Sequence, residues 1–205
     1  MSSLLSTLIE RFPTLSECKN DVLSAYNLMI ECYDNGGKLL CCGNGGSAAD
    51  CDHLVGELMK GFLKKRYLSD DEKSKFDDVI LAKGLQKGLP AISLCAHSAL
   101  MTAFSNDEAP SYVFAQQVFA YAKNNDLLFA FSTSGNSENV VYAAKAAKAA
   151  GIKSVAITGQ KESQLSEICD VCIRIPESET FRIQELTLPV YHCLAAMIEE
   201  NYFDV

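Results

Sequence analysis

The residues best suited to chemistry in this chain are two histidines, a glutamate and a glutamine. His53 and Glu57 are four residues apart in a stretch with helical periodicity, so their side chains share one helix face. Gln184 and His192 are eight residues apart in a second helical stretch, and four-residue steps of about 400° keep them on one broad face. Two imidazoles, a carboxylate and an amide oxygen can bind zinc and leave an exchangeable position. Spacing alone favours a structural interpretation instead, with a surface pair at His53 and Glu57, a solvated Gln184 and a core His192.

A second segment, Ser132-Thr-Ser-Gly-Asn-Ser137, carries four hydroxyl groups between a predicted strand and a predicted helix. Hydroxyls beside the free N–H groups of a helix N-terminus form an anion site, and the helix dipole strengthens it. One hydroxyl is enough to cap a helix, so four favour a bound ligand such as phosphate. Such a site needs no basic residue and is compatible with the net charge of −8.

The segment Gly43-Asn-Gly-Gly-Ser-Ala48 has the G-x-G-x-x-A spacing of a dinucleotide-binding turn. That turn should be followed, about 20 residues later, by an apolar strand that ends in Asp or Glu. Residues 64–88 instead form a polar, charged run. The chain also has neither a G-x-x-x-x-G-K-[ST] loop nor a G-x-S-x-G elbow. We therefore reject a nicotinamide-binding role for this glycine loop.

Five short apolar runs alternate with helical stretches and predict the sheet that positions these loops. Their continuous hydrophobicity is typical of strands buried on both faces, and they span residues 38–42, 90–94, 126–131, 152–157 and 171–175. Alternating strands and helices indicate an α/β fold, here a three-layer α-β-α sandwich with a five-stranded parallel sheet of the flavodoxin-like type. Ligands bind beyond the carboxyl ends of such strands, where the glycine and serine loops both fall.

The length of 205 residues predicts one domain over residues 1–205. It begins with a helical arm over about residues 1–35, whose periodicity predicts helices over 3–10 and 13–33. Further helices are predicted over 47–62, 137–150 and 181–201. The polar insert at 64–88 contains Lys64-Lys-Arg66 and Asp70-Asp-Glu72. We interpret it as a solvated surface excursion.

The composition argues against several classes of protein. The excess of 26 acidic over 18 basic residues is unsuited to nucleic acid, and no apolar run approaches the roughly 20 residues of a membrane span. The first residues lack the features of a secretory signal. Nine cysteines, an odd number, argue against a disulfide framework, and Cys169-x-x-Cys172 is interpreted as entering a buried strand. We expect a cytoplasmic protein that binds neither nucleic acid nor membrane.

Taken together, these segments resemble the sugar isomerase (SIS) domain family and, within it, the bacterial phosphoheptose isomerases. The resemblance runs from Asn20 to the C-terminus outside the insert, and it is carried by Gly43–Ser47 with Asp50, His53 and Glu57, by Ser132–Ser137, and by Arg182-Ile-Gln-Glu185 with His192. It implies the SIS fold and a phosphosugar aldose–ketose isomerase that acts through an enediol. The activity it most resembles interconverts sedoheptulose 7-phosphate and a glycero-manno-heptose 7-phosphate.

The resemblance also implies roles for individual residues. Phosphate would be bound by Ser132, Thr133, Ser134 and Ser137, and the sugar would be contacted by Asn44, Gly45, Ser47 and Gln184. One zinc ion per site would be held by His53, Glu57, Gln184 and His192, with Glu57 and His192 as the acid–base pair. Proteins of this fold assemble as dimers or tetramers, for which the helices at 13–33 and 181–201 are apolar enough to supply contacts.

The chain departs from the family pattern at three positions around the expected sugar pocket. Gly61 stands where the family has a substrate-contacting Arg, Leu94 where an Asp ends the second strand, and Phe181 where an Asp precedes Arg182. These changes leave the identity of the phosphosugar open.

The missing positive charge has three candidate replacements, Lys60, Lys64 and Arg66. His97 is a candidate for either packing or substrate contact. The main alternative to an enzyme is a non-catalytic SIS module that binds a sugar phosphate or associates with DnaA. Because such a module needs neither Glu57 nor His192, their presence favours the isomerase.

Overall fold

The computed structural model describes residues 3–203, so the predicted bounds at residues 1 and 205 lie outside the described part. Its centre is a sheet of β1 (Leu39–Cys42), β2 (Ala91–Ser93), β3 (Leu127–Phe131), β4 (Lys153–Thr158) and β5 (Val171–Arg174). Every neighbouring pair is parallel, and the order across the sheet is β2-β1-β3-β4-β5. The predicted five-stranded parallel sheet is confirmed, and each strand lies inside its predicted apolar run or extends one residue beyond it.

Ten α-helices lie within residues 3–203 and flank this sheet. They are α1 (Ser3–Arg11), α2 (Lys19–Asp34), α3 (Gly46–Met59), α4 (Asp70–Lys73), α5 (Val79–Gly84), α6 (Ser98–Asp107), α7 (Val113–Tyr121), α8 (Glu138–Ala149), α9 (Gln164–Ile168) and α10 (Thr180–Tyr202). None of the helices in the described part is long and apolar enough to cross a membrane.

Helices cover both faces of the sheet, because successive side chains of a strand point in opposite directions. Leu39 and Cys41 of β1 pack into a core formed with α1, α2, α3 and α10. Leu40 and Cys42 pack into a second core formed with α7 and α8. Each position of β1 therefore faces a hydrophobic layer. This arrangement explains why the strand reads as a continuous apolar run rather than an alternating one.

The carboxyl ends of β1 and β3 border the crevice in which a ligand is expected. In the strand order, β2 lies on one side of β1 and β3 lies on the other, so the connections diverge at this point. Cys42 pairs with Ala130, which brings Gly43 and Ser132 to the same edge of the sheet. Open α/β sheets bind ligands at such a switch point. The fold thus places the glycine loop and the serine loop side by side.

Two predicted helix boundaries differ from the structure by more than one residue. The helix predicted over residues 13–33 begins as a 3-10 turn, Pro13–Cys18, and becomes α-helical only in α2. The helix predicted to reach Phe62 ends at Met59, since Lys60 is extended with φ −136° and ψ 175°. A tight turn follows, because a Cβ on Gly61 would lie 2.1 Å from the carbonyl oxygen of Lys64.

The polar insert is largely exposed and contains the short helices α4 and α5. The interpretation of its basic run as solvated is wrong for Arg66, which is 2% exposed. Arg66 Nε donates to Glu199 Oε1 of α10 at 2.8 Å, and its Nη1 donates to the carbonyl of Leu58 at 2.6 Å. Glu199 also accepts hydrogen bonds from the backbone N–H groups of residues 62–64. The start of the insert is therefore tied to α10 and to the end of α3.

All nine cysteines are free thiols. Six are buried, as expected of a small apolar side chain, whereas Cys95, Cys169 and Cys172 are half-buried. The interpretation of Cys169-x-x-Cys172 as entering a buried strand is therefore only partly right, because β5 is the edge strand of the sheet. Burial raises the pKa of Cys169 to about 12. A thiol that holds its proton so strongly is a poor nucleophile near neutral pH.

Candidate active site

Three of the four predicted metal ligands meet between α3 and α10. His53 and Glu57 lie on α3, which follows the glycine loop, and His192 lies on α10. His53 Nε2 is 3.3 Å from Glu57 Oε1 and 3.3 Å from His192 Nε2. The two imidazole rings stand edge to face with their centroids 4.8 Å apart. The sequence predicted these side chains on two separate helix faces, and the structure turns those faces toward each other.

Tyr191 holds the far side of the His53 ring. Its buried hydroxyl donates to Asp50 Oδ1 at 3.1 Å and lies 3.0 Å from His53 Nδ1. Because the hydroxyl proton goes to Asp50, the hydroxyl oxygen accepts the Nδ1 proton of His53. This arrangement selects the tautomer in which Nε2 of His53 is unprotonated and faces Glu57 and His192.

The protonation states around this cluster follow from burial and from neighbouring charges. Burial and the adjacent Asp50 raise the pKa of Tyr191 far above its ordinary value, so its hydroxyl remains a donor. Burial also raises the pKa of Asp50, while the hydrogen bond from Tyr191 acts in the opposite direction. Burial, and then His53, lower the pKa of His192 below its ordinary value of 6.5, against the opposing charge of Glu57. His192 is therefore neutral near pH 7, with one nitrogen able to donate a proton and one able to accept it.

These side chains fit zinc in type and in two of their separations. Zn–N distances of about 2.0–2.1 Å place tetrahedral ligands about 3.3–3.4 Å apart, and both contacts of His53 Nε2 are 3.3 Å. An unprotonated Nε2 beside a carboxylate oxygen sets two acceptors face to face, which favours a cation or a proton between them. Within residues 3–203, however, no group of three or more His, Cys, Asp or Glu side chains is already arranged to hold a metal ion. Gln184, the predicted fourth ligand, lies against the glycine loop, with Nε2 2.6 Å from where a Cβ of Gly46 would be.

Lys60 is the cation paired with Glu57. Its Nζ lies 2.8 Å from Glu57 Oε2, the carboxylate oxygen that is not in contact with His53. The Glu57 side chain is 13% exposed and the Lys60 side chain 57%, so the carboxylate is sheltered while the ammonium group remains open to solvent. Lys64 and Arg66 instead donate to groups near the end of α10. Of the three candidates for the missing positive charge, Lys60 is the one at this cluster.

The serine loop presents hydroxyl groups that helix capping does not use. Ser137 is the N-cap residue of α8, yet its side chain makes no capping hydrogen bond. Ser132 Oγ instead donates to Ser137 Oγ at 3.1 Å. Gly135 turns the loop with a φ of +65°, and a Cβ there would lie 2.1 Å from Ser163 Oγ. The loop therefore places hydroxyl groups at a helix N-terminus, and capping alone does not account for them.

Thr133 and Ser134 line a cavity of about 280 Å³ beside the serine loop. The backbone N–H of Asn136 donates to Ser134 Oγ at 3.1 Å, which fixes that hydroxyl. Phe131, the residue before the loop, packs edge-on against Tyr191 with the ring centroids 6.0 Å apart. Since the Tyr191 hydroxyl orients His53, this contact joins the serine loop to the histidine cluster.

The glycine loop begins α3 and touches both neighbouring segments. Gly45 has a φ of +55°, and the N–H of Ser47 donates to the carbonyl of Asn44 at 3.0 Å. Ser47 is buried, so its predicted contact with a sugar requires an approach through the loop. The Asn44 side chain is exposed and forms two reciprocal hydrogen bonds with Asn139 of α8, of 2.8 and 2.9 Å.

Three residues singled out in the sequence lie apart from the histidine cluster in their contacts. His97 Nε2 is 3.5 Å from the hydroxyl of Tyr121. Leu94 is buried, and its carbonyl accepts a hydrogen bond from Gln117 Nε2 at 3.0 Å. Phe181 is 57% exposed near the start of α10. The contact of His97 favours its predicted packing role.

Two residues of the site were missed in the sequence. A buried tyrosine needs a hydrogen-bond partner, and the position of Tyr191 directly before His192 was a usable signal for its role. Asn139 gave no such signal, because its partner Asn44 is 95 residues away along the chain.

Comparison with known proteins agrees with the fold. Residues 6–159 match the SIS domain family model. The phosphoheptose isomerase of Rhodospirillum rubrum is 34% identical over 194 residues, covering 95% of this chain and 93% of that protein. That of Aneurinibacillus thermoaerophilus is 36% identical over 174 residues, covering 85% and 78%.

Solved structures give the same result. The phosphoheptose isomerase of Neisseria gonorrhoeae superposes with a TM-score of 0.75 at 30% identity, covering 95% of this chain and 96% of that one. The Vibrio vulnificus NanR protein, solved with ManNAc-6P, superposes with a TM-score of 0.59 at 17% identity, which shows a shared fold alone.

Proposed function

The chain belongs to the SIS domain family, alongside its phosphoheptose isomerases, and we propose that it interconverts sedoheptulose 7-phosphate and glycero-manno-heptose 7-phosphate. The observation that carries this proposal is the meeting of His53, Glu57 and His192. The helix α3 that carries His53 and Glu57 starts at the same edge of the sheet as the serine loop, whose Ser137 side chain makes no capping hydrogen bond. A group that binds phosphate and a pair that moves protons are the two parts that such an isomerase requires.

The serine loop is the proposed phosphate site. The hydroxyls of Ser132, Thr133, Ser134 and Ser137 would donate to phosphate oxygens, together with the free N–H groups at the start of α8. The helix dipole adds to this attraction without any basic side chain. Asn44, Gly45, Ser47 and Gln184 on and beside the glycine loop would then contact the sugar between the two loops.

Glu57 and His192 are the proposed acid–base pair. Glu57 would remove the proton from the carbon beside the substrate carbonyl and return it to the neighbouring carbon, with an enediol between the two steps. His192 would move a proton between the two substrate oxygens. Its lowered pKa keeps it neutral near pH 7, the state in which an imidazole can both donate and accept.

We also propose that His53, Glu57, Gln184 and His192 hold one zinc ion per site. Zinc bound there would supply a Lewis acid that polarises the substrate carbonyl. The support is the donor set and the 3.3 Å separations around His53 Nε2. Protein purified without added metal and measured by plasma mass spectrometry is expected to carry zinc, and His53→Ala is expected to lose it. Absence of zinc from the wild-type protein would contradict the assignment.

Lys60 would supply positive charge at the reacting end of the substrate, since it already faces Glu57. This charge would replace that of the Arg which the family pattern has at the position of Gly61. Because Leu94 and Phe181 differ from that pattern as well, the substrate assignment needs a direct test.

The test is a panel of ketose phosphates with five, six and seven carbons, followed by NMR detection of the matching aldose phosphates. We expect turnover of heptulose 7-phosphate above the shorter substrates. Turnover of a shorter substrate but not of heptulose 7-phosphate contradicts the heptose assignment and leaves an aldose–ketose isomerase. Binding of sugar phosphates without any turnover would instead favour a non-catalytic module. We further propose that the protein acts in the cytoplasm as a dimer or tetramer.

A further inference from the structure

The starts of α3 and α8 are joined by a pair of side-chain amides, one of which, Asn44, is also a proposed sugar contact. Asn44 Nδ2 donates to Asn139 Oδ1 at 2.8 Å, and Asn139 Nδ2 donates back to Asn44 Oδ1 at 2.9 Å. The N–H of Val140 also donates to Asn139 Oδ1 at 3.0 Å, which fixes which end of the Asn139 amide is the oxygen. The two side chains therefore form a clasp, which consists of two hydrogen bonds of defined orientation. It joins the glycine loop to the first turn of α8, which is distant in sequence.

Packing, rather than this clasp, supplies most of the stability of the two helices. The helix α8 is anchored by buried Val140, Val141, Ala143, Ala144 and Ala147, and α3 by Cys51, Leu54 and Leu58. Asn44 is exposed and Asn139 half-buried, so water competes for both amides. A neutral hydrogen bond in such a position contributes little to the free energy of unfolding. Its contribution is small beside the packing of the two helices.

The consequence of the clasp is geometric. Asn44 lies in the turn that begins α3, which carries His53 and Glu57. Asn139 lies two residues after Ser137, which ends the serine loop and is the N-cap residue of α8. The pair therefore sets the separation between the loop that would hold phosphate and the helix that would act on the carbon skeleton.

We propose that Asn139 is a positioning residue that, through Asn44, fixes the reacting carbons of the substrate relative to Glu57. This inference rests on the proposed function. A substrate held at its phosphate end is aligned at its other end only if the two loops keep a fixed distance. A misplacement of about 1 Å can cost on the order of 10²-fold in rate without a loss of binding at the anchored end.

The test is Asn139→Leu, which keeps the side-chain size and removes both bonds. We expect kcat to fall about tenfold or more, while the dissociation constant of inorganic phosphate, measured by calorimetry, stays within about twofold. Tyr142→Phe is the matched control, because it removes another hydrogen bond from the exposed face of α8, that from Tyr142 Oη to Glu138 Oε1 at 3.2 Å. The control is expected to match the wild-type protein in both measurements.

A double-mutant cycle with Asn44→Leu completes the test and also covers a failure of Asn139→Leu to fold. If the residues act through their pair, the double variant is no slower than Asn44→Leu alone. A kcat for Asn139→Leu equal to that of the wild type, purely additive effects, or an equal loss of phosphate affinity each overturns the inference. Absence of turnover by the wild-type protein would contradict the proposed function, and this inference with it.

Discussion

Among single residues, the site depends on His53, whose tautomer is fixed by a hydrogen bond between its Nδ1 and the Tyr191 hydroxyl. The Tyr191 hydroxyl donates to Asp50 and accepts from Nδ1 of His53, which leaves Nε2 free to act as a ligand. Partners of this kind, placed behind a metal-binding histidine, set its orientation and its basicity. The same reasoning explains why a tyrosine is buried directly beside His192.

Tyr191→Phe is expected to weaken zinc binding about 10- to 100-fold, because His53 loses the group that selects its tautomer. The measurement is a zinc titration by competition with a chromophoric chelator. Tyr33→Phe is the matched control, since the Tyr33 hydroxyl is buried and has no hydrogen-bond partner within residues 3–203. That variant should bind zinc as the wild-type protein does. Equal zinc affinity of the Tyr191→Phe and wild-type proteins would show that the hydroxyl does not orient His53.

At the scale of elements, a buried ion pair joins the insert, α3 and α10. Burial acts to raise the pKa of Glu199, but backbone hydrogen bonds from Phe62 and Leu63 and the bond from Arg66 outweigh it and hold the pKa below 4.5. A carboxylate with a depressed pKa contributes stability that is present above the unfolded-state value. That contribution is lost as pH falls through the folded-state value.

Glu199→Gln is therefore expected to lower stability at pH 7 by about 3 kcal/mol, which leaves Arg66 as an uncompensated buried charge. For a chain of this size that corresponds to on the order of 10 °C in Tm. The difference between variant and wild type should shrink as thermal melts are taken down to about pH 3. Asp71→Asn, which breaks an exposed pair with Lys75, is the control and should change Tm little. A pH-independent difference for Glu199→Gln contradicts the role of the charge.

The turn after α3 gives a second prediction at this scale. Gly61→Ala places a Cβ 2.1 Å from the Lys64 carbonyl oxygen and should cost about 1–3 kcal/mol. Gly56→Ala, within α3 and with nothing near its Cβ position, should instead stabilise the protein by up to about 1 kcal/mol. Chemical denaturation measures both changes. If Gly61→Ala proves as stable as the wild type, the turn does not require glycine.

The elements could be predicted from the sequence because their signals are local. Five apolar runs bounded by polar loops mark the strands, and a strand buried on both faces must be apolar throughout. The burial of Arg66 could not be predicted, since it depends on Glu199, which is 133 residues away. The same holds for the pairing of Asn139 with Asn44. The spacing of His53 and Glu57 predicted a shared helix face, but their contact with His192 depends on the packing of α3 against α10.

At the scale of the whole molecule, the histidine cluster borders an apolar surface. A cavity of about 340 Å³ between α1 and α10 is lined by Leu63, Leu188 and His192 among others. Leu63 is 64% and Leu188 39% exposed. The large apolar side chains of α2 are buried or half-buried, whereas Leu188 of α10 is exposed. Contacts with a second copy are therefore expected at α10 rather than at α2.

Light scattering after size-exclusion chromatography is expected to give two or four times the chain mass of 22.3 kDa. Leu188→Lys should shift that mass toward the single chain, because it places a charge on the exposed part of α10. Ile80→Lys, at an equally apolar but 85% exposed position of the insert, should leave the mass unchanged. A wild-type mass of a single chain contradicts self-association.

We propose that this crevice isomerises a phosphosugar through Glu57 and His192. The most direct measurement is NMR of sedoheptulose 7-phosphate incubated in turn with the wild-type protein, Glu57→Gln and His192→Ala. The wild-type protein is expected to produce the aldose 7-phosphate, and each variant to do so at least about 10²-fold more slowly, as the loss of a general acid or base requires. If either variant keeps the full turnover of the wild-type protein, the role assigned to that residue is contradicted. If the wild-type protein produces no aldose 7-phosphate, the proposed isomerase activity is contradicted.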